Sequence, residues 1–163
     1  GRVVLTSSIG GLYTMPTVAG YAVSKSGMIG LNNIVAIEGA AHGIKSNIIL
    51  PGASTRMGEG IDTSSFPPMG PEMVAPVVGW LAHETCSISG EMLVSAAGRV
   101  ARAFIAESEG VYDANWTIDK IGEQIDAIRD AGVPSPKQWT FHPREDGFGQ
   151  HLGRSCAMAR GRD

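Results

Sequence analysis

The amino-acid sequence predicts an α/β fold organised on a parallel sheet, and three observations carry that prediction. Residues 2–8, Arg-Val-Val-Leu-Thr-Ser-Ser, are a β-branched run with the length and composition of a buried strand. Residues 19 to 42 place Met28, Ile29, Leu31, Ile34, Val35 and Ile37 at helical spacing. Ser46 to Leu50 is a second short apolar strand, stopped by Pro51-Gly52. Strand, long helix, strand is a βαβ unit, because parallel strands need a long crossover, and that crossover is right-handed.

The remaining elements follow in order. Gly10 and Gly11 permit a tight turn after the first strand, and residues 12–17 form a loop over the strand ends. Along the long helix Gly27, Gly30, Gly39 and the alanines leave a thin surface. Such a surface packs closely on another element, for example the same helix of a second subunit. Gly43 closes the helix as its C′ residue. Residues 53–70, rich in Gly, Ser, Thr and Pro and carrying Phe66-Pro67-Pro68-Met69, read as an irregular flap and substrate lid. Pro71 suits the first turn of a helix running to Glu84, with Val74, Val77, Val78 and Leu81 as its buried stripe. Glu91 to Ser95 is a final strand, and Val100 to Ala106 an added edge strand.

Thr117 caps an amphipathic helix with Ile118, Ile121, Ile125 and Ile128 on one face, closed by Gly132 and Pro134. That stripe reads as a core or subunit contact. Beyond Ser135 the sequence is polar, and the expectation is a tail that is poorly ordered or docked on a partner. The organisation expected is therefore an α/β portion over 1–106, a helical extension over 107–134 and a tail over 135–163.

Composition bounds the function. The chain has 163 residues, 43% hydrophobic and 18% charged, which is globular material for one domain. A net charge of −3 argues against a general nucleic-acid or anionic-membrane binder. No uninterrupted apolar run approaches the ~20 residues of a membrane span, and no signal peptide is visible. Cys86 and Cys156 match no redox or metal spacing and read as reduced thiols of a cytoplasmic protein. His83, Glu84 and Cys86 lack the ligand count of a metal site and read as a helix end, so no metal is expected. The chain opens Gly1-Arg2-Val3, directly on a core-type strand, which suggests the C-terminal part of a longer polypeptide.

The candidate site rests on Tyr21-Ala22-Val23-Ser24-Lys25 and on Ser8, thirteen residues before the tyrosine. A tyrosine and a lysine four apart share one helix face. An ammonium one turn from a phenol favours the phenolate, which suits proton transfer near neutral pH. Ser8 stands at a strand's C-terminal end, as does Pro51-Gly52, and in open α/β sheets ligands bind beyond those ends. Two signals thus point to one crevice, where Ser8, Tyr21 and Lys25 can converge over a substrate carbonyl.

Ser8, the Tyr21-x-x-x-Lys25 pair, the long helix, the strand and Pro51-Gly52 together closely resemble the C-terminal half of short-chain dehydrogenases/reductases. Several stretches are similar to one branch, the (3R)-hydroxyacyl-CoA dehydrogenase domain of peroxisomal multifunctional enzymes and bacterial relatives. These are Ser54 to Met57, Pro71 to Pro76, Trp80 to Cys86 and Gly90 to Gly98. The resemblance reaches to about residue 130. It implies the C-terminal half of a Rossmann-like doubly wound parallel sheet, with the helical extension following.

It also implies NAD(P)-dependent interconversion of a secondary alcohol and a ketone, of the 3-hydroxyacyl-CoA type. In that chemistry Tyr21 is the proton donor and acceptor and Ser8 holds the substrate oxygen. Lys25 favours the phenolate and binds the nicotinamide ribose, and the backbone of Pro51, Gly52, Ala53, Ser54 and Thr55 holds the carboxamide. Many members carry Thr five residues after the proline, where this chain has Arg56 and its Thr55 comes one residue earlier.

The glycine-rich phosphate turn, the residue that chooses NAD or NADP, and the relay asparagine are all missing from this sequence. The expectation follows that residues 1–163 alone show no dehydrogenase activity. The implied partners are a small-molecule substrate and either further copies in a homo-oligomer or a missing N-terminal half, with no nucleic acid and no membrane. The alternative from another class is a non-catalytic fragment or oligomerising subunit that keeps the fold without its cofactor half.

Overall fold

The structure is a computed structural model describing residues 1–56 and 67–130. The chain divides into two compact units, Gly1–Ala103 and Phe104–Asp163.

The first unit is a four-stranded sheet in the order β1-β2-β3-β4, from β1 (Arg2–Thr6), β2 (Lys45–Gly52), β3 (Met92–Ala96) and β4 (Arg99–Ala103). β1, β2 and β3 are parallel, and β4 turns back antiparallel along β3. Helix α1 (Ala19–Ala40) joins β1 to β2, and a 3-10 turn (Pro71–Met73) with helix α2 (Ala75–Ala82) precedes β3. β2 is the central strand, with Ile48, Ile49 and Leu50 at most 1% exposed. Strand alternation sends these side chains to opposite faces. Ile48 and Leu50 pack with Met92, Leu12, Met28 and Ile29, and so against α1. Ile49 packs with Val74, Leu81 and Cys86, and so against α2. Helices thus cover both faces of the sheet, the Rossmann-like arrangement expected.

Several boundaries differ from the sequence reading, each for a physical reason. β2 does not stop before Pro51-Gly52: Pro51 pairs with Ser95 and Gly52 with Ala96. Ile48 N–H donates to Glu91 of the β3 side, while Ile49 C=O accepts from Ser7 on the β1 side. By alternation Pro51 turns its missing N–H toward the β1 side, where the strand has ended at Thr6, so the ladder with β3 stays intact. The helix expected over 71–84 is divided, because Pro76 inside it would lack an N–H and clash with the preceding turn. The α-helix instead starts at Ala75, where Pro76 sits in the first turn. β1 ends at Thr6, and Ser7 and Ser8 continue beyond it, Ser8 with extended backbone.

Helix α1 ends at Ala40 in a Schellman closure. Ile44 N–H donates to Gly39 C=O at 2.9 Å, Gly43 N–H to Ala40 C=O at 3.1 Å, and Gly43 has φ +65°. Ala97 (φ 49°) and Gly98 (φ 77°) form the two-residue turn between β3 and β4.

In the second unit Thr117 Oγ1 accepts from Lys120 N–H at 3.2 Å and caps helix α3 (Ile118–Glu123). Gln124 interrupts what the isoleucine spacing predicts as one helix, and α4 (Ile125–Arg129) follows. Ile118 is 91% exposed, and Ile121 and Ile125 are exposed too. Lys120 pairs with Asp113 at 2.8 Å within this unit. Most of the expected flap (residues 57–66), the helix-ending Gly132 and Pro134, Cys156 and the tail lie outside the described residues. Among the described residues no helix is long and apolar enough to cross a membrane, and no group of metal-ligating side chains occurs.

Candidate active site

The site grows from the C-terminal end of β1. Past Thr6 the chain carries Ser7 inward, 2% exposed, while Ser8 caps a 3-10 turn over Ile9–Gly11. Ser8 Oγ accepts from Gly10 N–H at 3.0 Å. That bond uses an acceptor lone pair and leaves the hydroxyl hydrogen free to donate to a ligand.

The turn is pressed onto the second turn of α1. A β-carbon on Gly11 would lie 2.9 Å from Lys25 C and Cβ, so only glycine permits this approach. Ser26 Oγ donates to Gly11 C=O and fastens the same contact.

Tyr21 and Lys25 stand one turn apart on α1. The Tyr21 ring lies beside Gly10: a β-carbon there would be 3.2 Å from Tyr21 Cε1 and 3.4 Å from Ser8 Oγ. The serine hydroxyl and the tyrosine ring therefore converge on one point. Tyr21 is 46% exposed, so its face is open to a ligand. Lys25 Nζ is 5.8 Å from the centroid of that ring, near the ~6 Å limit of cation–π attraction. It donates to Thr6 C=O at 3.0 Å, which engages one of its N–H groups and leaves the others for a ligand.

The β2 side of the crevice is set by register. Thr6 pairs with Ile49, and two residues beyond that pair on each strand stand Ser8 and Pro51. Pro51, Gly52 and Ala53 are half-buried, and Ser54 and Thr55 exposed. A β-carbon on Gly52 would lie 2.7 Å from Ala96 Cβ, which ties this segment tightly to β3. Ser54 N–H already donates to Met69 C=O at 2.6 Å, so that amide is engaged within the chain. The structure thus brings Ser8, Tyr21 and Lys25 together, with Pro51–Thr55 at the end of the neighbouring strand.

Ser7, which nothing in the sequence separates from Ser8, donates through Oγ to the main-chain carbonyl of Lys25 at 2.7 Å. Its one signal was a second hydroxyl at the strand's end, with nothing to say which serine turned inward.

The donor set suits a ligand that carries both a diol and a carbonyl or alcohol oxygen. An ammonium with spare N–H groups fits a ribose diol, and a phenol beside a serine hydroxyl fits a carbonyl or alcohol oxygen.

Comparison with known proteins agrees in kind. Residues 1–64 match the family model for short chain dehydrogenase. The peroxisomal multifunctional enzyme type 2 of Drosophila melanogaster is 40% identical over 111 residues, covering 68% of this chain and 19% of that protein. The solved full-length structure of that fly enzyme superposes with a TM-score of 0.75 at 28% identity, covering 97% of this chain and 29% of the other. The 3-hydroxyacyl-CoA dehydrogenase type-2 of Mycobacterium avium superposes with a TM-score of 0.53 at 29% identity, covering 64% of this chain and 44% of that one. The chain therefore spans about a fifth of the length of the curated fly relative (19%) and under half of the mycobacterial structure (44%).

Proposed function

From the premise that this chain belongs to the short-chain dehydrogenase family, we propose that it supplies the proton-transfer half of an NAD(P)-dependent oxidoreductase site acting on a secondary alcohol or ketone. The observation that carries this reading is the convergence of Ser8 Oγ and the Tyr21 ring on one point beside Gly10, with the Lys25 ammonium 5.8 Å from that ring.

Tyr21 gives its phenolic proton to the carbonyl oxygen in reduction and takes it from the alcohol in oxidation. Ser8 donates a hydrogen bond to the same oxygen and stabilises the charge that develops there. Lys25 holds the ribose hydroxyls with the N–H groups that Thr6 leaves free. Main-chain groups of Pro51, Gly52, Ala53, Ser54 and Thr55 would hold the carboxamide, Pro51 through its carbonyl alone and Ser54 through its carbonyl, since the Ser54 amide is engaged by Met69. NAD or NADP, when bound, takes up or supplies the hydride.

The substrate class we assign is a 3-hydroxyacyl thioester. The similarity to the 3-hydroxyacyl-CoA dehydrogenase type-2 of Mycobacterium avium supports it. So do Tyr13 (78% exposed) and Met15 (63% exposed), which offer apolar surface to an acyl chain on the loop beyond the Ser8 turn. The outer face of α1 carries Val23, Leu31 and Ile34 exposed, with open space at Gly20, Gly27 and Gly30. That face supports association with a second copy. The compartment we propose is the cytoplasm; the peroxisomal name of the fly relative sets the rival for a localisation experiment. The family match favours catalysis over the non-catalytic alternative.

The test is Tyr21→Phe in the active full-length protein, assayed by nicotinamide absorbance with hydroxyacyl-CoA and simple ketones. Turnover falls by about 10²-fold or more while dinucleotide binding persists. Undiminished turnover in that variant overturns the mechanism.

A further inference from the structure

We infer that Ser7, the buried neighbour of Ser8, is a positioning residue that holds Lys25 in place for the reaction proposed above; the inference rests on that reading for its functional meaning.

Ser7 and Thr6 grip Lys25 at both of its ends. Ser7 Oγ donates 2.7 Å to the main-chain carbonyl of Lys25, and Lys25 Nζ donates 3.0 Å to the carbonyl of Thr6. Two consecutive residues of one strand end thus fix both where the lysine leaves the helix and where its ammonium arrives. Ser7 is itself held by the sheet, its N–H donating 3.0 Å to Ile49 C=O of β2. The chain of bonds runs from the central strand, through a buried hydroxyl, to the helix turn that carries the cation.

Packing alone does not explain a hydroxyl there. At 2% exposure a small apolar side chain would fill the position without the desolvation that a hydroxyl incurs. The Lys25 carbonyl, as a mid-helix group, already has its partner one turn onward. The Ser7 bond is therefore additional to the helix, and its effect is to lock helix register to strand end. Ser26 Oγ on Gly11 C=O adds a parallel tie one residue along, so the turn bearing Ser8 and the turn bearing Lys25 move as one body. Proton transfer is sensitive to sub-ångström placement, which gives this lock its purpose.

The test reads Lys25 without requiring turnover. The full chain is acetylated with a water-soluble amine reagent, and the rates at Lys25, Lys45 and Lys120 are followed by peptide mass spectrometry. Lys45 is held by the carbonyls of Cys86 and Ser87, and Lys120 by Asp113, so both serve as internal references. In Ser7→Ala the rate at Lys25 rises about threefold or more, while Lys45 and Lys120 keep their wild-type rates. Ser7→Thr, which retains the hydroxyl, stays near wild type. An unchanged Lys25 rate in Ser7→Ala overturns the inference. So does a uniform rise at all three lysines, which would mark general loosening. Because labelling is independent of catalysis, undiminished turnover in Tyr21→Phe of the active full-length protein would count against the oxidoreductase reading and leave this test intact.

Discussion

Tyr21 Cε1 and Ser8 Oγ lie 3.2 and 3.4 Å from the single point that a β-carbon on Gly10 would occupy. The absent side chain of Gly10 is thus what lets the tyrosine ring and the serine hydroxyl lie this close to each other. It also makes the glycine a sensitive place to test the site.

In Gly10→Ala, the added methyl meets the tyrosine ring more closely than ordinary van der Waals contact, and the ring must give way by a few tenths of an ångström. In the active full-length protein the expected outcome is a fall in kcat of about tenfold, because small displacements of reacting groups are costly. A thermal midpoint within about 3 °C of wild type should accompany it, since the ring is partly exposed and free to move. Steady-state kinetics with unchanged kcat would show that the ring's position is not limiting.

Gly11→Ala is expected to act on stability. Its β-carbon would stand 2.9 Å from main-chain and Cβ atoms of Lys25, which cannot swing aside as a side-chain tip can. The turn or the helix must shift, at a cost of about 1–3 kcal/mol. Urea denaturation followed by far-UV circular dichroism measures this, and a loss under about 0.5 kcal/mol would contradict the contact.

Asn47 supplies a third prediction, away from the site. It is fully buried on the central strand, donates 3.0 Å to Ile88 C=O and accepts 3.1 Å from Glu91 N–H. It therefore stands in for a strand and holds the chain that leads into β3. Asn47→Ala leaves a half-buried donor (Glu91 N–H) and a half-buried acceptor (Ile88 C=O) without partners and is expected to destabilise the unit by about 1–3 kcal/mol. Equilibrium unfolding with native-like stability in that variant would refute the role.

What was legible in the sequence was mostly local. Tyr21 and Lys25 are readable as a pair because helix geometry makes residues four apart neighbours, whatever the rest of the chain does. Thr117 as a helix cap is legible for the same reason, and Gly43 needed only its left-handed φ. The boundaries that shifted were those set by partners distant in the chain. Pro51 stays in β2 only because its side without an N–H faces past the end of β1, and that depends on the register between two strands. The helix expected from Pro71 gives way to a 3-10 turn and a helix that starts at Ala75, because Pro76 fits only a first turn however continuous the hydrophobic stripe is.

The two adjacent serines divide the matter most clearly. By itself the sequence determined that a strand ends in hydroxyls, that a Tyr/Lys pair follows on a helix, and that a second strand ends at Pro51-Gly52 nearby. Only the tertiary structure decided that Ser7 turns inward onto the Lys25 carbonyl while Ser8 is left at the crevice. The physical reason is that successive strand residues point to opposite sides, and which side is the interior is set by the helix that packs there.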